Sequence, residues 1–233
     1  MAEVTSPRRR GQVPLLGAWV KSIRRWVGLR SFSGSEAYWR RRYEAGRSSG
    51  AGSYGHLAEF KAEFLNTFVA EHAITSVIEL GCGDGNQLSL AHYPRYLGFD
   101  VSERALELCR ERFRDDPTRR FAAMSDYAGE RAELGLSLDV IYHLVEDAVF
   151  EAYMRRLFDA AERFVIVFSS NTDENQRNRV AHVRHRRFTD WVERERPGWR
   201  LQAHEPGRYP LREHPTDGSF ADFYVFAPRA QEH

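Results

Sequence analysis

Three short stretches carry the side chains with chemistry to offer. VIELGCGDGNQL sets Glu79 two residues before Gly81 and runs on through Cys82, Gly83, Asp84, Gly85 and Gln87. GFDVS holds Asp100 and Val101, and DVIYHLVED holds Asp139, Tyr142, His143, Glu146 and Asp147. Alternating glycines after an apolar run suit a backbone that turns tightly around a small ligand. A carboxylate at Asp100 can accept from two adjacent hydroxyls, one on each oxygen, as the ribose of an adenosine ligand would present them. His143 has an ordinary pKa near ~6.5, so it can take up a proton at neutral pH.

The acids decide which adenosine ligand fits. A dinucleotide fingerprint, G-x-G-x-x-G, would need its third glycine at position 86, which is Asn86. Glu79 before the loop and Asp84 within it make a poor cradle for a pyrophosphate and favour a cation or neutral polar groups. S-adenosylmethionine carries a sulfonium, an ammonium and no phosphate, and meets that requirement. Transfer of its methyl group is an in-line displacement. It needs an aligned acceptor and, for a hydroxyl, a base. His143 is the expected base or substrate contact; the alternative is that it hydrogen-bonds the cofactor or caps the helix that follows. Asp139, read as part of the fourth strand, orients a neighbouring donor in the catalytic group.

These residues need strand ends to hold them. SVIEL, RYLGFD, RRFAAM, LSLDVIYHL and ERFVIVFSS read as five buried strands, the second ending at Asp100. Between them, Ser102 caps a helix reaching about Phe113, and Phe150, Tyr153, Met154 and Leu157 mark the apolar face of another. Leu57, Phe60, Phe64 and Phe68 form one stripe of a helix from about His56 to His72. Alternation of strands and helices predicts an α/β, doubly wound parallel sheet with helices on both faces. WRLQAHE and FADFYVFAP, with no long helix between them, are two strands expected to pair antiparallel at the sheet edge.

At 233 residues and 42% hydrophobic content the chain suits one large domain with a real core. A net charge of +1 argues against a nucleic-acid partner. The lysines are Lys21 and Lys61 alone, and the other cations are arginines. Cys82 and Cys109 lack metal-ligand spacing, which fits a reduced, cytoplasmic location. No apolar run is long enough to span a bilayer. Arginines before VPLLGAWV resemble the start of a signal peptide, but Lys21, Arg24 and Arg25 follow at once, so none is expected. Residues 1–34 read as a basic, amphipathic helical arm. It either touches an anionic membrane surface weakly or packs on its own domain or on the second subunit of a homodimer.

Two other segments bear on the site. The loop SSGAGSYG, over Ser48–Gly55, is a lid or a mobile connection, with Tyr54, and Trp39 before it, facing the cofactor. Ser169, Ser170 and Asn171 end the fifth strand where substrate contacts are expected. Beyond them His182, Arg184, His185, Arg186 and Arg187 form either an anion site for phosphate or carboxylate, or a solvated loop. His182 and His185 lack a third metal ligand, and no metal is expected.

Together, ELGCGDG, GFDVS, the Ser125–Asp126 pair after the third strand and LSLDVIYHL resemble the class I S-adenosylmethionine-dependent methyltransferases. GSYGHLAEFK and HVRHRRFTDW add a likeness to bacterial enzymes of surface-glycan and other small-molecule modification. The resemblance implies a Rossmann-like, seven-stranded sheet with an antiparallel last strand. The methyltransferase domain would span 35–233, with 35–72 as a helical lid or cap. Implied cofactor contacts are Glu79, Gly81, Cys82, Gly83 and Gln87, then Asp100 and Val101, with Ser137 from the fourth strand. Tyr127, with Phe99, would wall the adenine; Asp126 is either an acceptor for its amino group or a solvated loop residue. Implied substrate contacts are Tyr142, Asn171, His182, Arg184 and His185. The activity expected is methyl transfer to a small molecule, most readily a hydroxyl of a sugar, nucleotide-linked sugar or phosphorylated metabolite. Two other readings remain: a non-catalytic binding or scaffold protein on the same fold, and a nicotinamide-dependent oxidoreductase.

Overall fold

All four residues of β1 (Val77–Leu80) are buried, as are six of the seven in β4 (Ala132–Leu138). Burial on both faces is the signature of a central parallel strand. In the computed structural model these two strands pair in parallel at the middle of a seven-stranded sheet. The structure describes Phe32, residues 34–175 and residues 180–229, so the arm expected over 1–34 lies outside the described residues but for Phe32 and Gly34.

The sheet runs β3-β2-β1-β4-β5-β7-β6, with β2 Tyr96–Asp100, β3 Arg119–Ala123, β5 Ala161–Ser169, β6 Trp199–Glu205 and β7 Asp222–Pro228. Five strands are parallel; β7 is antiparallel to both β5 and β6. The expected antiparallel pair is therefore present, with the later strand inside and β6 at the edge. Helix α1 spans Ser35–Glu44, α2 Gly55–Glu71, α3 Glu103–Arg112, α4 Asp147–Asp159 and α5 Phe188–Glu195.

Alternation along β5 explains the two layers. Ile166 and Phe168 join a core with Phe60, Leu65 and Phe68 of α2 and Leu106 of α3. Val165 and Val167 point the other way, to Phe150, Met154 and Leu157 of α4 and Phe188 and Trp191 of α5. A period of two places successive side chains on opposite faces, so one strand serves both cores.

One boundary differs from expectation. β4 begins at Ala132 and stops at Leu138, and Asp139 takes a left-handed φ of 60 before a single turn of 3-10 helix over Ile141–His143. Asp139 is thus not inside the strand. Aspartate tolerates this conformation better than most residues. Here its carboxylate is also held, by Lys61 Nζ at 2.5 Å and the Tyr142 hydroxyl at 2.8 Å. The β1–β4 junction is where strand order reverses, and open α/β sheets bind ligands beyond the strand ends at that point.

Candidate active site

A cavity of about 390 Å³ opens there, within the size range of small-molecule sites. On one side the glycine loop leaves β1 with φ of +87 at Gly81, +60 at Gly83 and +74 at Gly85. The missing side chains make room chiefly for the protein itself. A Cβ on Gly81 would stand 2.6 Å from Val140 Cγ2, and one on Gly85 3.0 Å from both Cys109 Sγ and Phe113. A Cβ on Gly83 would run into Ser49 Oγ and the Tyr43 hydroxyl. The loop is packed tightly so that its backbone, rather than a side chain, borders the cavity.

Asp100 sits at the end of β2 with both oxygens anchored: Gly83 N–H donates to Oδ2 and Ser102 N–H to Oδ1, each at 2.9 Å. Each oxygen keeps a second lone pair. Burial pushes its pKa up to about 6, against the pull of those backbone donors. Glu79 accepts from the Tyr96 hydroxyl at 2.6 Å, and burial pushes it up to about 7. Asp84 behaves differently. Burial would raise its pKa, but donation from Ser49 N–H, the Tyr54 hydroxyl and Asn86 N–H holds it low. It is outside the cavity lining and pins the Ser48–Tyr54 loop instead.

On the other side lies His143, half-buried, whose pKa burial lowers to about 4. Its Nδ1 is 2.9 Å from the His182 carbonyl, which can only accept, so Nδ1 carries the proton and Nε2 presents a lone pair. The Trp39 ring meets it edge-on at 4.9 Å. A set of bonds from distant segments fixes this corner. Ser35 Oγ donates to Glu146 Oε2 at 2.5 Å and accepts from Val145 N–H at 2.9 Å. Arg186 donates to Leu144 O at 2.7 Å and Val145 O at 2.8 Å, and pairs with Asp147 at 3.1 Å. Arg184 binds Val145 O and Asp147, each at 3.0 Å, and its backbone N–H donates to Tyr142 O at 2.8 Å.

Of the residues singled out by sequence, Glu79, Gly81, Cys82, Gly83 and Gln87 line the cavity, as do Asp100, Val101, Asp139 and His143. Others stand behind the wall. Tyr54 is bonded to Asp84, Ser137 is fully buried 2.7 Å from the Tyr153 hydroxyl, and Tyr142 orients Asp139. Asp126 is exposed and accepts from Ser125, while Tyr127 packs edge-on against Phe99 at 5.4 Å. Asn171 bonds Thr189 at the start of α5, His185 bonds Ser170, and His182 stacks on Tyr38. Arg184 and Arg186 direct donors to the 144–147 corner. Among the described residues no group of three or more His, Cys, Asp or Glu could hold a metal ion. No helix among them is long and apolar enough to cross a membrane.

Sequence reading missed Tyr43, Lys61 and Met124, all of which line the cavity, as does Ser49 of the expected lid loop. Lys61 left one signal: it is a single charge on the apolar side of an amphipathic helix.

Residues 78–167 match the family model described as "Methyltransferase domain". No curated protein matches the sequence. Among solved structures, the chain is similar to N-methyltransferase NodS from Bradyrhizobium japonicum WM9 in complex with S-adenosyl-l-homocysteine. That match has 16% identity and a TM-score of 0.64, covering 85% of this chain and 100% of that one. Magnesium protoporphyrin IX methyltransferase from Synechocystis PCC 6803 with bound SAH matches at 16% identity and a TM-score of 0.58, over 90% of this chain and 100% of that one. The methyltransferase domain of bacterial CtHen1-C matches at 22% identity and a TM-score of 0.58, over 73% of this chain and 97% of that one.

Proposed function

We propose that the protein is a class I S-adenosylmethionine-dependent methyltransferase that methylates a hydroxyl of a small acceptor in the cytoplasm, with His143 as the base. The acceptor class is a sugar, a nucleotide-linked sugar or a phosphorylated metabolite. The observation that carries this reading is the tautomer of His143 in the cavity lining: Nδ1–H is committed to the His182 carbonyl, which leaves Nε2 with a lone pair to offer.

The donor set suits the cofactor. Asp100 would hold the ribose hydroxyls on its remaining lone pairs, and the acids around the loop disfavour a phosphate-bearing nucleotide. When bound, S-adenosylmethionine supplies an electrophilic methyl group on a sulfonium. The chain's own residues do the rest. Ser35, Glu36 and Trp39 of the α1 segment line the cavity and would act as a cap on the acceptor's side. The Ser48–Tyr54 loop, tied to Asp84, closes over the cofactor. With its pKa lowered by burial to about 4, His143 is neutral at pH 7 and takes the hydroxyl proton on Nε2. Asp139, whose charge raises that pKa, stabilises the imidazolium that forms.

The test is methyl transfer to a panel of hydroxylated and amino acceptors by the full chain, alongside His143→Ala. Turnover on a hydroxyl acceptor, lost in the variant while S-adenosylhomocysteine still binds, supports the reading. Unchanged turnover in His143→Ala, or turnover confined to amines, rejects it.

A further inference from the structure

β6 forms one edge of the sheet, and its residues from Arg200 to Glu205 are all exposed. The pairing with β7 shows which of its backbone groups face outward. Arg229 N–H donates to Gly198 O at 2.8 Å, so that opposite pair is a bonded one. Bonded and unbonded pairs alternate in an antiparallel ladder, which makes Ala227, Val225 and Phe223 the next bonded positions of β7. Their partners are Arg200, Ala203 and Glu205. Leu201, opposite Phe226, and His204, opposite Tyr224, therefore turn their N–H and C=O groups away from the sheet. A register shift between Leu201 and Ala203 makes Gln202 an extra residue, so two residues rather than one separate the outward positions. Outward donors stop at the strand ends: Trp199 N–H is taken by Arg196 O at 2.8 Å, and Pro206 has no N–H.

Side chains follow the same register. Phe226 and Tyr224 belong to the core beside α4 and α5, so Leu201 and His204 lie on that face, where the His204 ring stacks on Tyr224 at 4.7 Å. Arg200 and Glu205, opposite Ala227 and Phe223, share the other face. Without the extra residue they would point to opposite sides. Charges and bulges usually guard an edge against pairing. Here they are self-complementary. A second β6, turned about a two-fold axis between Gln202 and Ala203, sets Leu201 against His204, outward groups facing outward groups. It also sets Arg200 against Glu205, opposite charges on one face. Both contacts occur twice, and the two extra residues meet at the axis, so the spacing stays matched. Centring the pair on Leu201 instead would set His204 against Gly198, whose carbonyl already bonds Arg229.

We propose that the β6 edge binds a second copy of this chain, the two β6 strands pairing antiparallel with Leu201 opposite the partner's His204 and Arg200 opposite the partner's Glu205. The sheet then continues from one copy into the other. Because both copies use the same patch, the contact closes at the dimer and leaves no β6 edge open for further growth. The inference does not depend on what the cavity holds.

The test is sedimentation of the full chain over a concentration series, with thermal melts reporting an intact fold. The unaltered chain shows a monomer–dimer equilibrium and nothing larger. Arg200→Glu and Glu205→Arg, each alone, set like charges opposite one another at two places and weaken the dimer about 10-fold. The two together restore opposite charges with their signs exchanged, and the dissociation constant returns to within about threefold of the original. Damage to folding cannot produce that rescue. Leu201→Pro removes an outward N–H and spares the pairing with β7, so it melts as before and dimerises about 10-fold more weakly. Amide exchange at Leu201 and His204 slows as concentration rises. A chain that stays monomeric, a dimer indifferent to the single reversals, or one that the paired exchange fails to rescue overturns the proposal. So does an edge that pairs only with a different protein.

Discussion

At the proposed cofactor end, the cavity wall includes Glu79, Gly81, Cys82, Gly83, Gln87 and Asp100, brought together by strand pairing: Glu79 sits opposite Gly98 and Leu80 opposite Phe99. At the proposed acceptor end the wall is held in place by three stretches far apart in the chain. Ser35 of α1 is bonded to Glu146, 111 residues away, and Arg186 to Leu144, 42 residues away. The first end is thus held by ladders inside a buried sheet, the second by side chains clamping an irregular corner. Ladder positions move only if the sheet moves. A corner clamped by side chains can be re-aimed by single substitutions, which suits the end that must match an acceptor.

The sharpest break between the ends is His143→Ala. It lowers kcat by about 10²–10⁴ while the dissociation constant for S-adenosylhomocysteine stays within about twofold, measured by steady-state kinetics and calorimetry together. Asp100→Ala strikes the other end. It weakens S-adenosylhomocysteine by about 100-fold or more through the loss of charged hydrogen bonds to the ribose, read by calorimetry.

A pH series comes next in size. Asp100's folded pKa, about 6, lies above its unfolded value, so this group favours the free protein as pH falls through that window, while the carboxylate proposed to bind ribose is lost. Affinity for S-adenosylhomocysteine therefore drops about tenfold from pH 7 to pH 5, and ligand-induced stabilisation in thermal melts shrinks with it. His143 acts with the opposite sign. Its depressed pKa costs folding stability as pH falls below about 6.5 towards 4. In His143→Ala the free protein should accordingly lose less stability on acidification. The smallest effect is Arg186→Met, which loosens the corner: a several-fold fall in kcat with nucleoside binding unaltered would separate clamp from cofactor site. Equal damage to both ends would show that they move as one.

The same contrast governs what could be read from sequence. The glycine loop and Asp100 were legible because their chemistry lies within short windows at strand ends, where pattern and position coincide. The antiparallel pair was legible in rhythm, but not that β7 would lie inside β6, because pairing order is a tertiary choice. Asp139 misled because β-branched Val140 and Ile141 prolong the look of a strand past its last ladder bond. Arg184 and Arg186 drew attention as anion binders through their charge. Nothing local shows that backbone carbonyls of residues 144 and 145 take up their donors. Lys61, the one lysine of a helix that also carries Glu59, Glu63 and Glu71, gave no hint of Asp139, a partner 78 residues away.

The placement of β7 between β5 and β6 also orders events during synthesis. Chains emerge from the ribosome N-terminus first, and domains form as their parts appear. The parallel half, from β1 to β5, has all its members early. β6 emerges before the strand that joins it to the sheet, and until β7 arrives β5 is left as a bare edge with Val165, Ile166, Val167 and Phe168 in a row. An apolar, unpaired edge is a template for intermolecular pairing. For this nascent chain the interval before β7 arrives is the one in which a chaperone matters most.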